Sequence, residues 1–564
     1  MKKRLPIGIS DFKRIIEGDY AYVDKTLLIQ ELVEKGMAVA LIPRLRRFGK
    51  TLNLSMLRYF FEQGKEDTSY LFKNTKIWEN EKYRAMQGCF PVIFLTLKDV
   101  KHASWQNTFA SLQELIGEEF GRHDYLLEDT ILTATEKEDY QRILRKESDL
   151  VLTEKSLFLL TKWLQRYYNK NVILLIDEYD TPAHAAYLGG YYESLINFLR
   201  NWLSAGLKDN ASLELGVLTG ILRIAKESIF SGLNNISTFT ILNDTFSDKF
   251  GLLESEVKEL LDYYDLSEKI NDVRRWYNGY RIGTSTNIYN PWSVLNCITN
   301  KGVLAPYWVN TSENALMKKL IAQSTGDFKA NLETLLKGGH IEEEIEEGIV
   351  FSELQYNPKS LWSLLLYCGY LTLETVPSYG TPCHLRIPNI EICELYRSMI
   401  LDWFNQSIHK PNYHLLLNSL ISGDIDTFSQ IFQEFMFSSV SVFDVPSEES
   451  EKIYHGFILG ILIGLSDRYE VKSNRESGLG RYDVMLIPKN QNDLGIIMEF
   501  KKIGRFEKST LEEAVESALK QIEDRHYAQE LIDRGVKNIL LIGFAFEGKQ
   551  VIIRSKNKDR TTNA

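Results

Sequence analysis

Short, continuously apolar segments recur in the first half of the chain and alternate with segments of helical periodicity. Helical stretches such as SLFLLTKWLQRYY separate them. Strands that are apolar at every position and alternate with helices are typical of a parallel sheet buried on both faces. The chain therefore predicts an α/β fold built on a parallel sheet. The candidate strands are MAVALIP (37–43), PVIFLTL (91–97), VILLIDE (172–178), LELGVLTG (213–220) and STFTIL (237–242).

Length and charge limit what kind of protein contains this sheet. The 564 residues are enough for roughly three or four domains, or for two large domains with a connector. Lys and Arg number 66 against 76 Asp and Glu, a formal charge of −10, whereas a protein that coats nucleic acid along its whole surface is basic. Any contact with nucleic acid is therefore expected at a local basic surface.

Cysteine usage and hydropathy predict a cytoplasmic protein without membrane contact. The five cysteines are scattered and form no C-x-x-C pair, which argues against a disulfide framework or a cysteine zinc site. The basic N-terminal residues do not lead into the apolar region of a signal peptide. No segment approaches the roughly 18 consecutive apolar residues of a spanning helix.

The first apolar strand leads into a loop with a phosphate-binding pattern. Gly49, Lys50 and Thr51 match the end of the G-x-x-x-x-G-K-[ST] motif and open a segment of helical periodicity, but Arg44 stands at the position of the first glycine. In such loops backbone N–H groups cradle phosphates, the lysine reaches the terminal phosphates and the hydroxyl holds Mg²⁺. Arg44, together with the two arginines before Phe48, is expected to add positive charge. The tripeptide alone is weak evidence, because it occurs by chance in many chains.

A later strand supplies the acidic partners of this loop. VILLIDEYD places Asp177 and Glu178 at the end of an apolar segment. In this arrangement an aspartate orders the shell of a magnesium ion and the next carboxylate polarises the attacking water. The two elements, in this order and on these secondary structures, predict a site for ATP and Mg²⁺.

At this point the chain resembles a known family, the bacterial AAA-ATPase-like domain. The resemblance lies in YAYVDKTLLIQELVE, RLRRFGKTLNLSMLRYFF and LLIDEYDTP, and it continues to YNPWSVLN. In that family a shortened loop of the type RPRRFGKT replaces the glycine-rich form, and this chain departs from it at Leu45. The resemblance implies Glu178 as the catalytic residue and Thr51 and Asp177 as the metal site. It also implies nucleotide binding by Arg46, Arg47, Phe48, Gly49, Lys50, Thr51 and Asp177.

Two further residues follow a strand near the expected site. Thr219 ends the strand and Arg223 comes shortly after it. Such positions sense the γ-phosphate or supply an arginine finger. Arg223 is therefore a candidate nucleotide-binding residue, with a plain surface arginine as the alternative. Many P-loop ATPases place such an arginine in a neighbour's site, which leaves a homo-oligomer open.

The middle of the chain is predicted to be mainly helical and shows no catalytic constellation. Its acidic run IEEEIEEG (341–348) is typical of a solvated helical face or loop. The stretch SSVSVFDVPSEESEK (438–452) has the composition of a linker that opens a new domain. The predicted division is a P-loop domain at 1–245, a helical region at 246–445 and a third domain at 446–564.

A second group of charged residues lies in the third domain, where the predicted order is helix, three strands, helix and strand. Asp483 lies in RYDVMLIP, and Glu499 and Lys501 lie in LGIIMEFKK. Residues two apart share a strand face, so Glu499 and Lys501 project together, whereas Met498 and Phe500 face the core. A hairpin across PKNQNDLG would bring Asp483 beside them. Such carboxylates bind Mg²⁺ or Mn²⁺, and a metal-bound water beside a lysine attacks phosphodiesters.

The segments SNRESGLGRYDVML and IIMEFKK resemble the PD-(D/E)XK nuclease domain usually found behind the AAA-ATPase-like domain. The resemblance implies Asp483, Glu499 and Lys501 as the metal and catalytic residues. Glu476 is a candidate additional metal ligand, and Gln521 on the following helix resembles an accessory position. The stretch 537–564 has an excess of basic residues that could hold phosphates, and a solvated, disordered end is expected for its last ten residues.

The predicted architecture is thus a P-loop NTPase domain with a parallel sheet, a helical middle region and a C-terminal α/β PD-(D/E)XK nuclease-like domain. The leading hypothesis is ATP hydrolysis coupled to metal-dependent cleavage of nucleic acid, with DNA favoured over RNA. One alternative is an ATP-dependent switch or scaffold whose nuclease-like domain binds nucleic acid without cutting. Another is a nuclease whose P-loop domain binds nucleotide without turnover. The complete Asp-Glu-Lys set argues against the first alternative, and Glu178 argues against the second.

Overall fold

The computed structural model divides the chain into two compact units. Described residues of the first unit fall within Met1–Ser312 and His340–Ile392, and those of the second within Glu313–Gly339 and Cys393–Ala564. The three-domain division stays a prediction. The linker predicted at 438–452, apart from its first residue, and most of the apolar helix expected after it lie outside the described residues. The structure describes residues 2–64, 66–224, 229–230, 234–308, 326–336, 338–348, 357–375, 381–407, 410–438, 458, 461–465, 467–477, 480–503, 509–547 and 550–558.

Helices account for most of the described residues outside the sheets. They are α1 (Phe12–Glu17), α2 (Leu27–Lys35), α3 (Lys50–Phe61), α4 (Glu81–Arg84), α5 (Trp105–Arg122), α6 (Ala134–Leu144), α7 (Leu150–Tyr168), α8 (Thr181–Gly189), α9 (Tyr192–Leu207), α10 (Glu254–Tyr263), α11 (Ile270–Tyr277), α12 (Pro291–Thr299), α13 (Gly326–Leu336), α14 (Pro358–Tyr367), α15 (Ile390–Ser407), α16 (Lys410–Ser422), α17 (Ile425–Ser438), α18 (Leu511–Asp524) and α19 (Gln529–Asp533). Several begin at a side chain that caps a free backbone N–H, such as Ser104, Asp149 and Thr510.

The first unit is built on a parallel sheet of β1 (Val39–Pro43), β2 (Val92–Thr96), β3 (Val172–Asp177), β4 (Leu213–Gly220) and β5 (Ile236–Thr238). The strand order is β2-β3-β4-β1-β5, and every pairing is parallel. β1 and β3 are buried at each position, which confirms the predicted parallel sheet. Because the strands are parallel, the carboxyl ends of β1, β4 and β3 lie at one edge, where α/β proteins bind ligands.

Two small antiparallel sheets complete the first unit. β6 (Tyr280–Ile282) pairs with β7 (Ser285–Ile288), and β8 (Ile341–Glu343), β9 (Thr372–Leu373) and β10 (Cys383–Arg386) form a sheet in the order β8-β10-β9. The prediction of a solvated helical face or loop for the acidic run is therefore wrong for its first three residues. They form a strand because Ile341 is buried opposite Leu385 in the register.

The second unit contains a mixed sheet of β11 (Tyr469–Ser477), β12 (Gly480–Pro488), β13 (Leu494–Lys502), β14 (Asn538–Glu547) and β15 (Gln550–Asn557), in chain order. β13 and β14 are parallel, and the other pairs are antiparallel. The three strands, the helix α18 and β14 were expected, as was the hairpin across residues 489–493. The fifth strand was not expected.

The strand β15 corrects the prediction of a disordered C-terminal end. It runs to Asn557, three residues into the predicted end, and residues 559–564 lie outside the described part. Val551 and Ile553 are buried in the core that the sheet shares with α16 and α17. On the other side of the strand Arg554 and Lys556 pair with Glu516 and Glu523 of α18. These ion pairs therefore neutralise part of the basic excess that the sequence shows in this stretch.

Within the described residues, no helix is both long enough and apolar enough to cross a membrane.

Candidate nucleotide and metal sites

The loop between β1 and α3 turns sharply into the helix. Gly49, which caps α3, has a φ angle of 84°, and Arg47 has a φ angle of 67°. Glycine adopts this left-handed conformation without strain, whereas it costs another residue roughly 1–2 kcal/mol. The turn presents the free backbone N–H groups at the start of α3, a position that favours an anion.

Lys50 is the first residue of α3, and its side chain folds back over the loop. Its Nζ donates to the carbonyl oxygens of Arg44 at 3.1 Å and Leu45 at 3.0 Å. Burial lowers the pKa of Lys50, and the charges of Glu178 and Asp177 oppose that change. The ammonium group is thus held against the loop, where the lysine of a P-loop meets phosphates.

Arg44, at the position of the first motif glycine, is completely buried. Its guanidinium group donates to the carbonyl oxygens of Pro43 at 2.9 Å, Phe239 at 2.5 Å and Thr245 at 3.1 Å. Burial lowers the pKa of Arg44 to about 9. The residue ties the loop to the segment after β5. Contrary to the sequence expectation, its charged group is bound by buried carbonyl oxygens and is not presented to a ligand.

Two other loop side chains, those of Arg47 and Phe48, contact residues that follow residue 279. The guanidinium carbon of Arg47 lies 3.8 Å from the centre of the Trp292 ring, a cation–π contact. Phe48 is buried and meets the ring of Tyr280 edge-on, with the ring centres 5.2 Å apart. The Phe48 side chain therefore supports the loop by packing. Arg46 is near enough for its charge to contribute to the lowered pKa of Lys50.

Asp177, the last residue of β3, connects the two motifs. Its carboxylate is completely buried and accepts hydrogen bonds from the hydroxyl groups of Thr51 and Thr219, each at 2.7 Å. Thr51 lies in α3, and Thr219 lies near the end of β4, between β1 and β3 in the sheet. The structure therefore brings a hydroxyl group and a carboxylate together, and Mg²⁺ prefers oxygen ligands of these kinds.

Glu178 follows Asp177 but is half-buried and has a different environment. Its φ angle is 51°, a left-handed conformation that is rare for glutamate. The hydroxyl group of Thr181 donates to Oε2 of Glu178 at 3.2 Å. Backbone strain of this kind concentrates at functional sites. The strained backbone thus places Glu178 at the edge of the sheet, directly next to Asp177, the buried carboxylate suited to bind Mg²⁺.

A third carboxylate, Asp180, was not selected from the sequence. It is buried, and its Oδ2 accepts from the backbone N–H groups of Ile221 at 2.9 Å and Leu222 at 2.7 Å. Burial raises the pKa of Asp180 to about 6. A Cβ atom on Gly220 would lie 2.3 Å from Oδ1 of Asp180. Asp180 therefore fixes the turn after β4. In the sequence it is the third acidic residue of the segment IDEYD, which is the pattern that could have indicated it.

Arg223 lies after this turn and is paired with the acidic run. Its guanidinium group is 2.8 Å from a carboxylate oxygen of Glu347. Among the described residues, the ion pair of Arg223 is with Glu347 and not with Asp177 or Glu178. The structure therefore does not bring Arg223 into the cluster formed around Asp177.

The carboxylates of the second unit lie on adjacent strands. The register pairs Val484 of β12 with Met498 of β13, which places Asp483 next to Glu499. The backbone N–H of Phe500 donates to Oδ2 of Asp483 at 2.7 Å and turns that carboxylate toward β13. Met498 and Phe500 are buried in the core on the opposite face of the sheet, which confirms the predicted alternation.

Glu499 is nearly inaccessible and only half satisfied. Its side chain is 3% exposed, and its Oε1 accepts from Lys501 at 3.3 Å and from the side-chain amide of Gln521. Its Oε2 is buried and has no hydrogen-bond partner among the described residues. Burial and the charge of Asp483 raise the pKa of Glu499 to about 7. A buried carboxylate oxygen without a partner, beside a second carboxylate, fits a Mg²⁺ or Mn²⁺ ligand.

The helix α18 completes this cluster. Oε1 of Gln521 accepts from Nζ of Lys501 at 2.7 Å, and the Gln521 amide donates to the hydroxyl group of Tyr527 at 3.2 Å. The structure thus brings Gln521 into the site, and it adds Tyr527, which no sequence motif indicates. Glu476 lies on β11 opposite Arg481, and its side chain is outside the described part of the structure.

The folds and sites define two classes of domain. A parallel sheet with a glycine-lysine-threonine turn after β1 and a buried carboxylate after β3 defines a P-loop NTPase domain. A mixed sheet with Asp483, Glu499 and Lys501 on adjacent strands, covered by a helix that carries Gln521, defines a PD-(D/E)XK nuclease fold.

Comparisons with known proteins give the same two classes. Residues 6–230 match the family described as a predicted AAA-ATPase, and residues 449–556 match the PD-(D/E)XK nuclease superfamily. The chain carries an AAA-ATPase-like domain followed by a PD-(D/E)XK nuclease superfamily domain.

Two further proteins are similar to the chain. An uncharacterized protein from the vnfD 5′ region of Azotobacter chroococcum mcd 1 is 26% identical over 560 residues, which cover 97% of this chain and 96% of that protein. A signal transduction ATPase with numerous domains and a tetratricopeptide repeat sensor, from Pyrococcus horikoshii, aligns over 83% of this chain with 11% identity and a TM-score of 0.24. The chain spans 59% of the length of that protein. This TM-score is too low to establish a shared fold.

Proposed function

We propose that this protein hydrolyses ATP in its AAA-ATPase-like domain and cleaves nucleic-acid phosphodiesters in its nuclease-superfamily domain, and that the two activities are coupled. The observation that carries the cleavage half is Oε2 of Glu499, which is buried beside Asp483 and has no hydrogen-bond partner among the described residues. A stabilising core position would satisfy both oxygens, since an unpaired buried acceptor costs roughly 1–3 kcal/mol. A cation bound between Glu499 and Asp483 would give this oxygen a partner and so remove the cost.

The proposed nucleotide site uses the geometry of α3 and β3. The start of α3 binds the phosphates. On binding, Nζ of Lys50 gives up its hydrogen bonds to the two loop carbonyl oxygens and donates to phosphate oxygens instead. Thr51 and Asp177 hold Mg²⁺, which when bound neutralises charge on the terminal phosphates. The hydrogen bond from Thr219 orients Asp177, because it occupies the second carboxylate oxygen.

Glu178 is the proposed catalytic base of ATP hydrolysis. It directly follows Asp177 but is less buried, and its strained backbone turns it away from the path of β3. A carboxylate at this position orients the attacking water and accepts its proton. Glu178 is thus separated in role from Asp177, which is locked between two hydroxyl groups. Arg223 stays a candidate nucleotide sensor, and in that role it would exchange Glu347 for phosphate.

The proposed cleavage site uses the two adjacent strands β12 and β13. Asp483 and Glu499 hold a divalent cation, with Glu476 as a candidate additional ligand. The cation when bound supplies an activated water and neutralises the phosphate. Lys501, positioned by Gln521, stabilises negative charge on the phosphate as the bond breaks. Nucleic acid is the proposed partner, with DNA favoured over RNA.

The proposal is tested by incubating purified full-length protein with end-labelled strands. Single- and double-stranded DNA and RNA are each incubated with Mg²⁺, Mn²⁺ or EDTA, with and without ATP. We expect at least one polymer to be cut with Mg²⁺ or Mn²⁺ and none to be cut with EDTA. Binding of a strand whose affinity changes with ATP, without cutting under any condition, would instead support the ATP-dependent switch or scaffold.

A further inference from the structure

The solvent-exposed face of the three-stranded sheet in the first unit carries two histidines and two glutamates that neither proposed activity uses. His384 lies in the central strand β10 and Glu342 in β8, while His340 directly precedes β8 and Glu374 directly follows β9. His384 is opposite Glu342 in the register, and the backbone N–H of Glu374 donates to the carbonyl oxygen of His384 at 2.9 Å. Side chains that lie in, or directly next to, all three strands of the sheet thus come together.

The core beneath the sheet fixes these positions. Ile341, Leu373 and Leu385 form a row across the strands and are 6%, 2% and 0% exposed. Successive residues of a strand point to opposite faces, so His384 and Glu342 lie on the solvent side. Because the buried row holds the three backbones in register, the side chains above it share one small surface.

The distances between the polar atoms are close to those of a metal site. One ligand atom from each of His340, Glu374 and His384 lies within 4.8 Å of the others. Nδ1 of His340 is 3.6 Å from Oε2 of Glu374, and Nε2 of His384 is 3.8 Å from Oε1 of Glu342. Ligands about 2.1 Å from one zinc ion are roughly 3.4 Å apart. Small rotations of these side chains, which are 38% to 64% exposed, would therefore bring the ligand atoms to the distances of a metal site.

We propose that His340, Glu374 and His384 bind one divalent transition-metal ion of the Zn²⁺ class, with Glu342 as a fourth ligand. Neutral imidazole suits Zn²⁺, Ni²⁺ and Cu²⁺, whereas Mg²⁺ and Ca²⁺ prefer oxygen ligands. The site is therefore chemically distinct from the two carboxylate sites of the proposed activities. An ion bound here joins β8, β9 and β10, and its function is structural.

This site accounts for part of the acidic run that the sequence left without a function. Glu342 contributes a ligand to the metal, and Glu347, later in the same run, pairs with Arg223 at 2.8 Å. The competing explanation is a pair of independent His–Glu contacts, His340 with Glu374 and His384 with Glu342. Independent contacts need no ion and do not require the histidines to act together.

The test measures Zn²⁺ binding by calorimetry on the untagged full-length chain, in excess Mg²⁺. The parent protein carries Asp483→Asn and Glu499→Gln, which remove the carboxylate donors of the second unit. We expect His340→Gln with His384→Gln to lose one bound Zn²⁺ per chain, or to bind it roughly a hundredfold more weakly. The control His102→Gln changes a half-buried histidine elsewhere in the same unit and should bind Zn²⁺ as the parent does.

Two further readouts keep the result decisive. Zn²⁺ should raise the melting temperature of the parent and not that of the double histidine variant. If the double variant fails to fold, Glu374→Gln, an exposed substitution, should still weaken Zn²⁺ binding at least roughly tenfold. Equal stoichiometry and affinity in parent and variants would overturn the proposal in favour of independent His–Glu contacts.

Discussion

Glu178→Gln is expected to give a protein that binds ATP but hydrolyses it roughly a hundred- to ten-thousandfold more slowly, the contribution typical of a general base. The substitution preserves the shape of the side chain and leaves Lys50, Thr51 and Asp177 in place. Lys50→Ala should instead weaken ATP binding roughly tenfold to a hundredfold, because it removes a charge-assisted contact worth about 1.5–3 kcal/mol. Hydrolysis is measured as phosphate release, and binding by titration of a fluorescent ATP analogue.

The matched control for these variants is Glu193→Gln, an exposed glutamate in the first turn of α9 of the same unit. It should leave both measurements at the level of the unaltered protein. A wild-type rate of phosphate release in both Glu178→Gln and Lys50→Ala would show that hydrolysis occurs elsewhere, and the P-loop assignment would fall.

Asp483→Asn and Glu499→Gln should each reduce metal-dependent strand cleavage at least roughly a hundredfold, since each removes a charged ligand of the proposed cation. Both substitutions preserve shape. Asparagine at position 483 can still accept the hydrogen bond from the backbone N–H of Phe500. Glutamine at position 499 can still accept hydrogen bonds from Lys501 and Gln521. Calorimetry should show weaker Mn²⁺ binding in both variants, and the rate of ATP hydrolysis without nucleic acid should not change.

The control for this pair is Asp524→Asn, at the exposed end of α18 in the same unit. It should cleave and bind Mn²⁺ as the unaltered protein does. Cleavage by Asp483→Asn at the control rate would contradict the assignment of the metal site, and loss of cleavage with unchanged Mn²⁺ affinity would place Asp483 on the substrate instead.

The features of both sites that depend on residues close together in the chain could be predicted from the sequence. The buried strands β1 and β3 showed as apolar runs, and the turn at Gly49 showed as a motif. In the second unit the period of two correctly placed Glu499 and Lys501 on one face and Met498 on the other. These patterns are local, since each depends on residues close together in the chain.

The remaining features depend on contacts distant in sequence. Arg44 looked like one of three loop cations, and only the carbonyl oxygens of Phe239 and Thr245 show why it is buried. The strand β15 carries many polar residues, and its pairing with β14 decides its conformation. Likewise, the first three residues of the acidic run form β8 because Leu385 lies opposite Ile341. No periodicity in these segments could have revealed their partners.

We propose that ATP binding in the first domain and nucleic-acid binding and cleavage in the second are coupled. Linkage requires that if nucleic acid changes the affinity for ATP, ATP changes the affinity for nucleic acid by the same factor. The most direct measurement is the dissociation constant of ATP for Glu178→Gln, with and without a saturating oligonucleotide, alongside cleavage rates of the unaltered protein with and without ATP. We expect the oligonucleotide to change the ATP dissociation constant at least roughly fivefold, the lower end of typical coupling, and ATP to change the cleavage rate. Identical dissociation constants, together with cleavage rates indifferent to ATP, would contradict the claim and leave two independent activities in one chain.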